Sequence, residues 1–424
     1  MTEKFSALVK RKSKSAWNYI QTFVKWVIIA LVTGTVGGII GSLFSLTLKY
    51  ANEIQSSVWW LVFFLPVGGV IIVLLYKLCK MENDPGTNLV IASVRTKENV
   101  PWIMAPLIFI STAITHLLGG SAGREGAALQ LGGSLGSTVG RILHLDEKDM
   151  NLSVMCGMSG LFSALFCTPV TACLFAIEVI SVGATYYSAL VPCLVSAIVS
   201  YTIAIFMGVT PLRFDLANAV PELEFLPIAQ VIALAAGCAV VSIIFCVVMH
   251  KTPVLMKKLF KNEYVRVIAG GVIIIALTFA VCSRDYNGAG SHIITQAIEG
   301  QAKPEAFLFK ILFTAITIGS GYKGGEIVPT LFIGSTFGCV VGGFIGLDPS
   351  FGAAMGMICL FCGVVNCPLA SVLLSVEIFG SEGLIFFAVG CAVSYMLSGY
   401  YGLYSSQKIL YSKLKAEFIN VNAK

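Results

Sequence analysis

Charge is what this sequence has least of. Asp, Glu, Lys and Arg together make up 12% of its 424 residues, against 57% hydrophobic residues. A water-soluble domain carries about a quarter charged residues. Half that share leaves too little polar surface to face water, and a mean hydropathy of +0.87 makes lipid the natural solvent. Histidine is also scarce. The four histidines, His116, His144, His250 and His292, are scattered without ligand spacing. That pattern argues against a membrane-embedded enzyme with a metal centre, and no metal or cofactor is expected. Cysteine is not scarce, at 13 residues, but most lie inside apolar runs, as do Cys156, Cys167 and Cys173. The Cys359–Cys362 pair has no partner histidine and no second CxxC. Small buried hydrophobes describe these cysteines better than disulfides, metal ligands or redox groups. A cleavable signal peptide is not expected, because the first apolar run, 23–48, is too long and lacks a cleavage site. Only some twenty residues follow the last apolar run, so no appended regulatory domain is expected.

The net charge of +6 invites a nucleic-acid reading, but the basic residues are badly placed for one. They crowd into the tails: Lys10, Arg11, Lys12 and Lys14 before the first span, and Lys408, Lys413 and Lys415 after the last. Basic clusters flanking apolar spans read as cytoplasmic anchors. Both termini are therefore expected in the cytoplasm of a cell whose plasma membrane the chain crosses many times. The expected division is a basic N-terminal segment over 1–24, a transmembrane domain over 25–410, and a cytoplasmic C-terminal tail over 411–424.

Apolar stretches recur at roughly 23–48, 58–77, 102–118, 151–182, 185–208, 227–250, 265–282, 305–321, 330–346, 353–379 and 383–403. A span needs about 20 residues. Some stretches are shorter and some longer, and 42 glycines punctuate them. Small-residue spacings such as Gly34–Gly41 let helices approach closely in lipid. Together these features predict an all-α polytopic membrane protein with broken or re-entrant helices. An internal repeat is visible at an offset of 199 (356 − 157). Gly157, Met158, Leu161, Phe162, Pro169, Leu174 and Glu178 meet Gly356, Met357, Leu360, Phe361, Pro368, Leu373 and Glu377. The repeats span about 25–208 and 227–404, and an odd number of spans in each would invert one against the other. Repeats of this kind place a substrate site at their interface, near the bilayer midplane.

Two charged, glycine-rich motifs precede the repeated segments. The first is Gly123-Arg124-Glu125-Gly126. Burying Glu125 at membrane depth costs about 2.5–3.5 kcal/mol on insertion scales. The apolar run after Gly126 reads as a helix start, whose unpaired N–H groups and positive dipole end attract an anion or a carboxylate in an anion's place. An ionised Glu125 can then occupy an anion site and, once protonated, leave it. The competing reading is a plain ion pair with Arg124 that anchors a turn. The second motif is Lys323-Gly324-Gly325-Glu326, with Pro329 suited to a first helical turn. Glu326 is either a second functional acid or the cap of its own helix. A third segment, 83–89, could offer donors from Thr87 and Asn88, or could be an ordinary capped loop. Tyr404, just past the last apolar run, reads by position alone as an interfacial aromatic.

Taken together, these motifs resemble the CLC family of chloride channels and anion/proton antiporters. The GREG at 123–126 is the most specific match. The GGEIVP at 324–329 and the GLYSSQ at 402–407 look like the family's second anion motif and terminal tyrosine motif, and 160–179 matches the helix between them. The resemblance implies a homodimer with one pore per subunit and inverted repeats of broken, tilted helices whose N-termini converge on the ion. It implies that Glu125 is the gating glutamate and that Tyr404 faces the central anion. Gly123, Arg124, Gly126, Ile327 and Val328 would line the path. The sequence departs from the family at three places. The serine motif is replaced by 86–90, so that Gly86 or Thr87 takes the serine's place beside Asn88. The internal proton glutamate of typical exchangers falls on Val179, and Glu326 replaces a common Phe. These departures resemble the fluoride/proton antiporter branch, although a Thr often found there is Val328 here. The implied function is proton-coupled fluoride export, with Glu125 and Glu326 carrying the coupling. A chloride/proton antiporter or chloride channel is the alternative. The expected partners are fluoride or chloride, protons, the lipid bilayer and a second copy of the chain, with no nucleic acid.

Overall fold

The computed structural model describes residues 2–424 except Asn83, Lys97, Ala217 and Asn218, with side chains from Ser15 onward. The side chains of the basic cluster Lys10, Arg11, Lys12 and Lys14 lie outside the described residues. Sixteen α-helices follow one another among the described residues. The first eight are α1 (Thr2–Ser57), α2 (Leu65–Leu78), α3 (Thr87–Ser93), α4 (Met104–Leu117), α5 (Glu125–Ile142), α6 (Glu147–Phe166), α7 (Pro169–Glu178) and α8 (Leu190–Phe206). The next eight are α9 (Phe225–Leu259), α10 (Glu263–Ala280), α11 (Ser291–Ile298), α12 (Ala306–Ser320), α13 (Ile327–Phe344), α14 (Pro349–Val365), α15 (Pro368–Phe379) and α16 (Leu384–Leu397). The order of long and short helices repeats, one set of eight after the other.

The two longest irregular apolar stretches break at equivalent points. The 151–182 run divides at Cys167 and the 353–379 run at Asn366, 199 positions apart (366 − 167). Both residues take left-handed dihedrals, φ 58° and ψ 37° against φ 58° and ψ 35°. A proline opens the following helix in each case, Pro169 and Pro368. Proline suits a first helical turn, where its missing N–H costs nothing. The small-residue pattern has a matching use. A Cβ on Gly157 would meet the Gly132 carbonyl oxygen at 2.1 Å, and one on Gly356 would meet that of Gly334 at 2.3 Å. The helix pairs α5/α6 and α13/α14 can approach so closely only because these positions are glycine.

The repeats are inverted, and two sets of bonds carry the symmetry. Glu178, at the end of α7, accepts from the N–H groups of Leu369 and Ala370 at the start of α15, at 3.2 and 2.9 Å. Glu377, near the end of α15, accepts from Val170 and Thr171 at the start of α7, at 3.0 and 2.9 Å. Each helix caps the other, so the two run antiparallel about a local two-fold axis. The ends of the long helices agree. Arg284, just past α10, donates to the Gln55 and Ser56 carbonyls at the end of α1. The end of α9 and the start of α10 therefore lie on the opposite face, with the beginning of α1. Repeat partners α1 and α9 cross in opposite senses. The mutual capping offsets part of the burial cost of two carboxylates. Glu178→Ala is expected to destabilise the protein by about 2 kcal/mol, since bonds to a charged acceptor are worth about 1.5–3 kcal/mol. The thermal midpoint of detergent-solubilised protein measures this, and an unmoved midpoint would remove the argument.

The outside is apolar. Only 33% of the Trp59–Leu78 span is buried within the chain, so its remaining surface meets lipid. The cysteines are all free, and most are buried. One small sheet joins the chain end to the core. Here β1 (Ser181–Val182) pairs parallel with β2 (Lys408–Tyr411), which pairs antiparallel with β3 (Phe418–Asn422). Residues 411–424 are thus docked rather than trailing. Lys424 N–H donates to the Tyr400 carbonyl at 2.8 Å, and the Lys424 carbonyl accepts from Gly402 N–H at 3.1 Å.

Candidate functional site

The two charged motifs meet where the halves cross. Gly123 and Gly325, equivalent positions 202 apart (325 − 123), form an isolated antiparallel bridge. Gly123 N–H donates to the Gly325 carbonyl at 2.6 Å, and Gly325 N–H to the Gly123 carbonyl at 2.7 Å. This bridge aligns the starts of α5 and α13. Neighbouring contacts hold it in place. Ser121 binds Thr317 and Thr314 of α12 at 3.1 and 3.0 Å. The Tyr322 hydroxyl lies 3.0 Å from both the Leu65 and Val267 carbonyls, tying the second motif to α2 and α10.

Glu125 is fully buried. It is the first residue of α5, one position earlier than the glycine-led start expected from sequence. Its Oε2 accepts from Arg124 N–H at the start of its own helix and from Val328 N–H at the start of α13, both at 3.0 Å. The carboxylate therefore bridges two helix N-termini, one from each half. Each terminus carries about half a positive charge. The other oxygen, Oε1, has no hydrogen-bond partner among the described residues and lies 3.5 Å from Arg124 Nε. The Arg124 ion pair and the helix-start site thus coexist. The guanidinium is pinned elsewhere as well, by Ser45 Oγ at 3.1 Å and the Leu165 carbonyl at 3.2 Å. A Cβ on Gly123 would lie 2.7 Å from Glu125 Oε2, so only glycine leaves room for the carboxylate there.

Glu326 is the N-cap residue of α13, yet its side chain makes no capping hydrogen bond. A Cβ on Gly126 would lie 3.3 Å from its Oε2 and 3.5 Å from Thr87 Oγ1. The two acids thus flank the Gly123–Gly126 turn, Glu125 at one end and Glu326 at the other. Thr87 starts α3 after Gly86, which takes φ 66°. Its hydroxyl donates to the Gly126 carbonyl at 3.1 Å and accepts from Gln130 at 3.2 Å. Asn88 Oδ1 accepts from Ser406 N–H at 2.9 Å, fastening the start of α3 to the terminal tyrosine motif. Tyr404 is 2% exposed, and its hydroxyl has no partner among the described residues. It stands within electrostatic reach of both Glu326 and Glu125. Position past an apolar run suggested an interfacial aromatic; the terminal segment instead folds inward, with Leu403 N–H bonded to the Val364 carbonyl at 3.0 Å. Ile327 is wholly buried beside Val328.

Two contributors escaped the sequence. His116, fully buried on α4, places Nε2 3.2 Å from the Gly123 carbonyl and Nδ1 3.1 Å from Asn52 Oδ1. The imidazole thus links the carbonyl of the bridge to α1. Lys310 on α12, also fully buried, donates to the Tyr286 and Gly288 carbonyls at 3.2 and 2.7 Å. The only available signal was a polar residue inside an apolar run, which does not reveal a partner.

An inverted-repeat helical membrane protein with an acid lodged between opposed helix N-termini has the architecture of an anion-handling transporter or channel. The model of the voltage gated chloride channel family matches residues 68–399, and the chain belongs to that family. It is 32% identical over 396 residues to a "Chloride/fluoride channel protein" of Pseudomonas syringae pv. tomato, covering 92% of this chain and 87% of that one. The crystal structure of a CLC-type fluoride/proton antiporter superposes with a TM-score of 0.87 at 29% identity, over 91% of this chain and 98% of that one. A slow cyanobacterial Cl⁻/H⁺ antiporter shares the fold with a TM-score of 0.73 at 19% identity, over 88% and 94%.

Proposed function

We propose that the chain exports fluoride in exchange for protons, and that it does so through Glu125 and Glu326. The observation that carries this reading is the Glu125 carboxylate seated on N–H groups from two opposed helix starts. Ionised, it fills an anion site. Protonated, it loses its attraction to both dipole ends and yields the site to a halide. One group therefore links proton and anion movement. The fluoride-handling relatives support fluoride as the ion. So does Glu326, whose side chain is free of capping duty. Fluoride is small and a strong acceptor, and a protonated carboxyl can donate to it in place of lost water.

The remaining roles follow in the same reading. Tyr404 donates its unpartnered hydroxyl to the central anion. The backbone of Gly123, Gly126, Ile327 and Val328 lines the path, with Val328 N–H released when Glu125 leaves. Gly86, Thr87 and Asn88 shape the third wall, and Arg124 is the ion-pair partner of Glu125. The chain works in the plasma membrane as a homodimer with one pore per subunit, and both termini are cytoplasmic. The face where α1 begins is then the cytoplasmic one.

Purified protein in liposomes tests the reading. A fluoride gradient is expected to drive protons in the opposite direction, with chloride moving far more slowly. Chloride moving as fast as fluoride would hand the site to the chloride/proton alternative. Fluoride flux without proton movement would end the antiport reading.

A further inference from the structure

The break between α14 and α15 is built differently from its mate between α6 and α7. Both hold a left-handed residue, Asn366 and Cys167. Cys167 lines an open cavity of about 720 Å³ with Pro169, Tyr201 and Arg213. Asn366 is fully buried instead, against the chain that follows α16. Its amide nitrogen donates to the Tyr401 carbonyl at 3.0 Å and to Gln407 Oε1 at 3.1 Å. Its Oδ1 accepts from Lys413 Nζ at 2.5 Å. An ammonium offers three donors, and three acceptors surround this one. The other two are the Tyr395 carbonyl at 2.9 Å and Ser398 Oγ at 3.1 Å, both near the end of α16. The same Nζ stands 4.2 Å from the centre of the Tyr395 ring.

Gln407, also fully buried, carries the link onward. Its Nε2 donates to the Val179 and Val365 carbonyls at 3.1 and 2.9 Å, one in each half of the molecule. Its backbone N–H donates to the Tyr404 carbonyl at 2.9 Å. Three consecutive hydrogen bonds therefore run from Lys413 to the backbone of Tyr404, through Asn366 and Gln407. The Tyr404 hydroxyl has no partner of its own among the described residues. A side chain without a bond at its tip is aimed only by the backbone and packing behind it.

We infer that Lys413 is a positioning residue for the anion site: it fixes Asn366 and Gln407, and through them the place of the Tyr404 hydroxyl. The competing role is a plain cation at the end of α16, which would contribute stability alone. The break itself does not require the lysine, since Cys167 forms the same turn beside an open cavity. What the second half has in addition is the tyrosine segment to hold. The inference rests on the reading of Tyr404 as a donor to the anion and adds what keeps it aimed.

The test uses full-length protein in liposomes, with the initial rate of fluoride efflux measured against fluoride concentration. Lys413→Met keeps the unbranched stem and removes the three donors. It is expected to raise the fluoride concentration for half-maximal rate several-fold. The proton-to-fluoride ratio is expected to stay unchanged, because Glu125 and Glu326 are untouched. Tyr404→Phe is expected to raise the same concentration by removing the hydroxyl. The double variant is expected to match Tyr404→Phe alone, because a misplaced hydroxyl and a missing one are equivalent. Effects that multiply in the double variant, an altered proton-to-fluoride ratio, or an unaltered half-maximal concentration in Lys413→Met overturn the inference and leave the lysine as a helix cap. If Lys413→Met does not elute as a single species, Gln407→Met takes its place in the same cycle, one bond nearer to Tyr404. An unaltered half-maximal concentration in Tyr404→Phe instead overturns the hydroxyl as a donor to the anion, and the inference falls with it.

Discussion

Glu125→Gln is expected to abolish fluoride-driven proton movement, down to the level of empty liposomes. Glutamine matches glutamate in size, so the packing between α5 and α13 survives. It cannot ionise, so it never competes with a halide for the N–H groups of Arg124 and Val328 as a charge does. The carboxylate accepts both bonds through Oε2 and has Arg124 Nε at 3.5 Å from Oε1. Charge-assisted bonds of this kind are worth about 1.5–3 kcal/mol each. That is the bias that holds the acid in the site until a proton arrives. Without Glu125 the anion site has no competitor that a proton can displace, and any remaining fluoride flux runs uncoupled. A pH electrode beside a fluoride electrode reads both quantities. Coupled proton uptake persisting in this variant would refute the role of Glu125.

Glu326→Gln is expected to lower fluoride turnover about ten- to a hundredfold, a barrier of about 1.5–3 kcal/mol, the worth of a hydrogen bond to the anion that is no longer let go. The reasoning turns on release as much as on binding. A carboxyl donates to fluoride when protonated and repels it when ionised. An amide always donates, so it can hold fluoride but cannot dismiss it. The fold is expected to stay intact, because the Glu326 side chain makes no capping bond to α13. Size-exclusion elution and the thermal midpoint check the second half of this expectation, and fluoride efflux checks the first. Unchanged turnover would return Glu326 to a local role at the helix start.

Much of this molecule is readable in the chain itself. Low charge and long apolar runs determine the solvent, since a backbone in lipid must satisfy its hydrogen bonds internally and so becomes helical. The 199-residue offset exposes the repeat, down to Pro169 with Pro368 and Glu178 with Glu377. Glycines around Glu125 mark a turn that exposes N–H groups. These are local properties, set by spacing and residue type, and they need no knowledge of what lies across the fold.

What is missing from that reading is always a partner far along the chain. Nothing near Glu125 reveals that Val328, 203 positions later, supplies the second N–H. The pairing of Gly123 with Gly325 takes up the N–H that the sequence alone offered to the anion. Thr87 and Asn88, read as possible donors to the ion, also tie distant segments together: the Thr87 hydroxyl donates to the Gly126 carbonyl and Asn88 Oδ1 accepts from Ser406 N–H. His116 sits in an ordinary apolar run, yet it fixes the Gly123 carbonyl. The last fourteen residues look like a free tail, but β3 finds its ladder partner in β2.

The sequence by itself therefore determined the membrane, the helices, the repeat and the two acids, because hydropathy, period and motif act over a few residues. Only the tertiary structure decided that the repeats face each other in opposite senses, and that a carboxylate from one half rests on a helix start from the other. The physical reason is that helix dipoles and backbone N–H groups are common to every helix. They become an anion site only where folding points two of them at the same place.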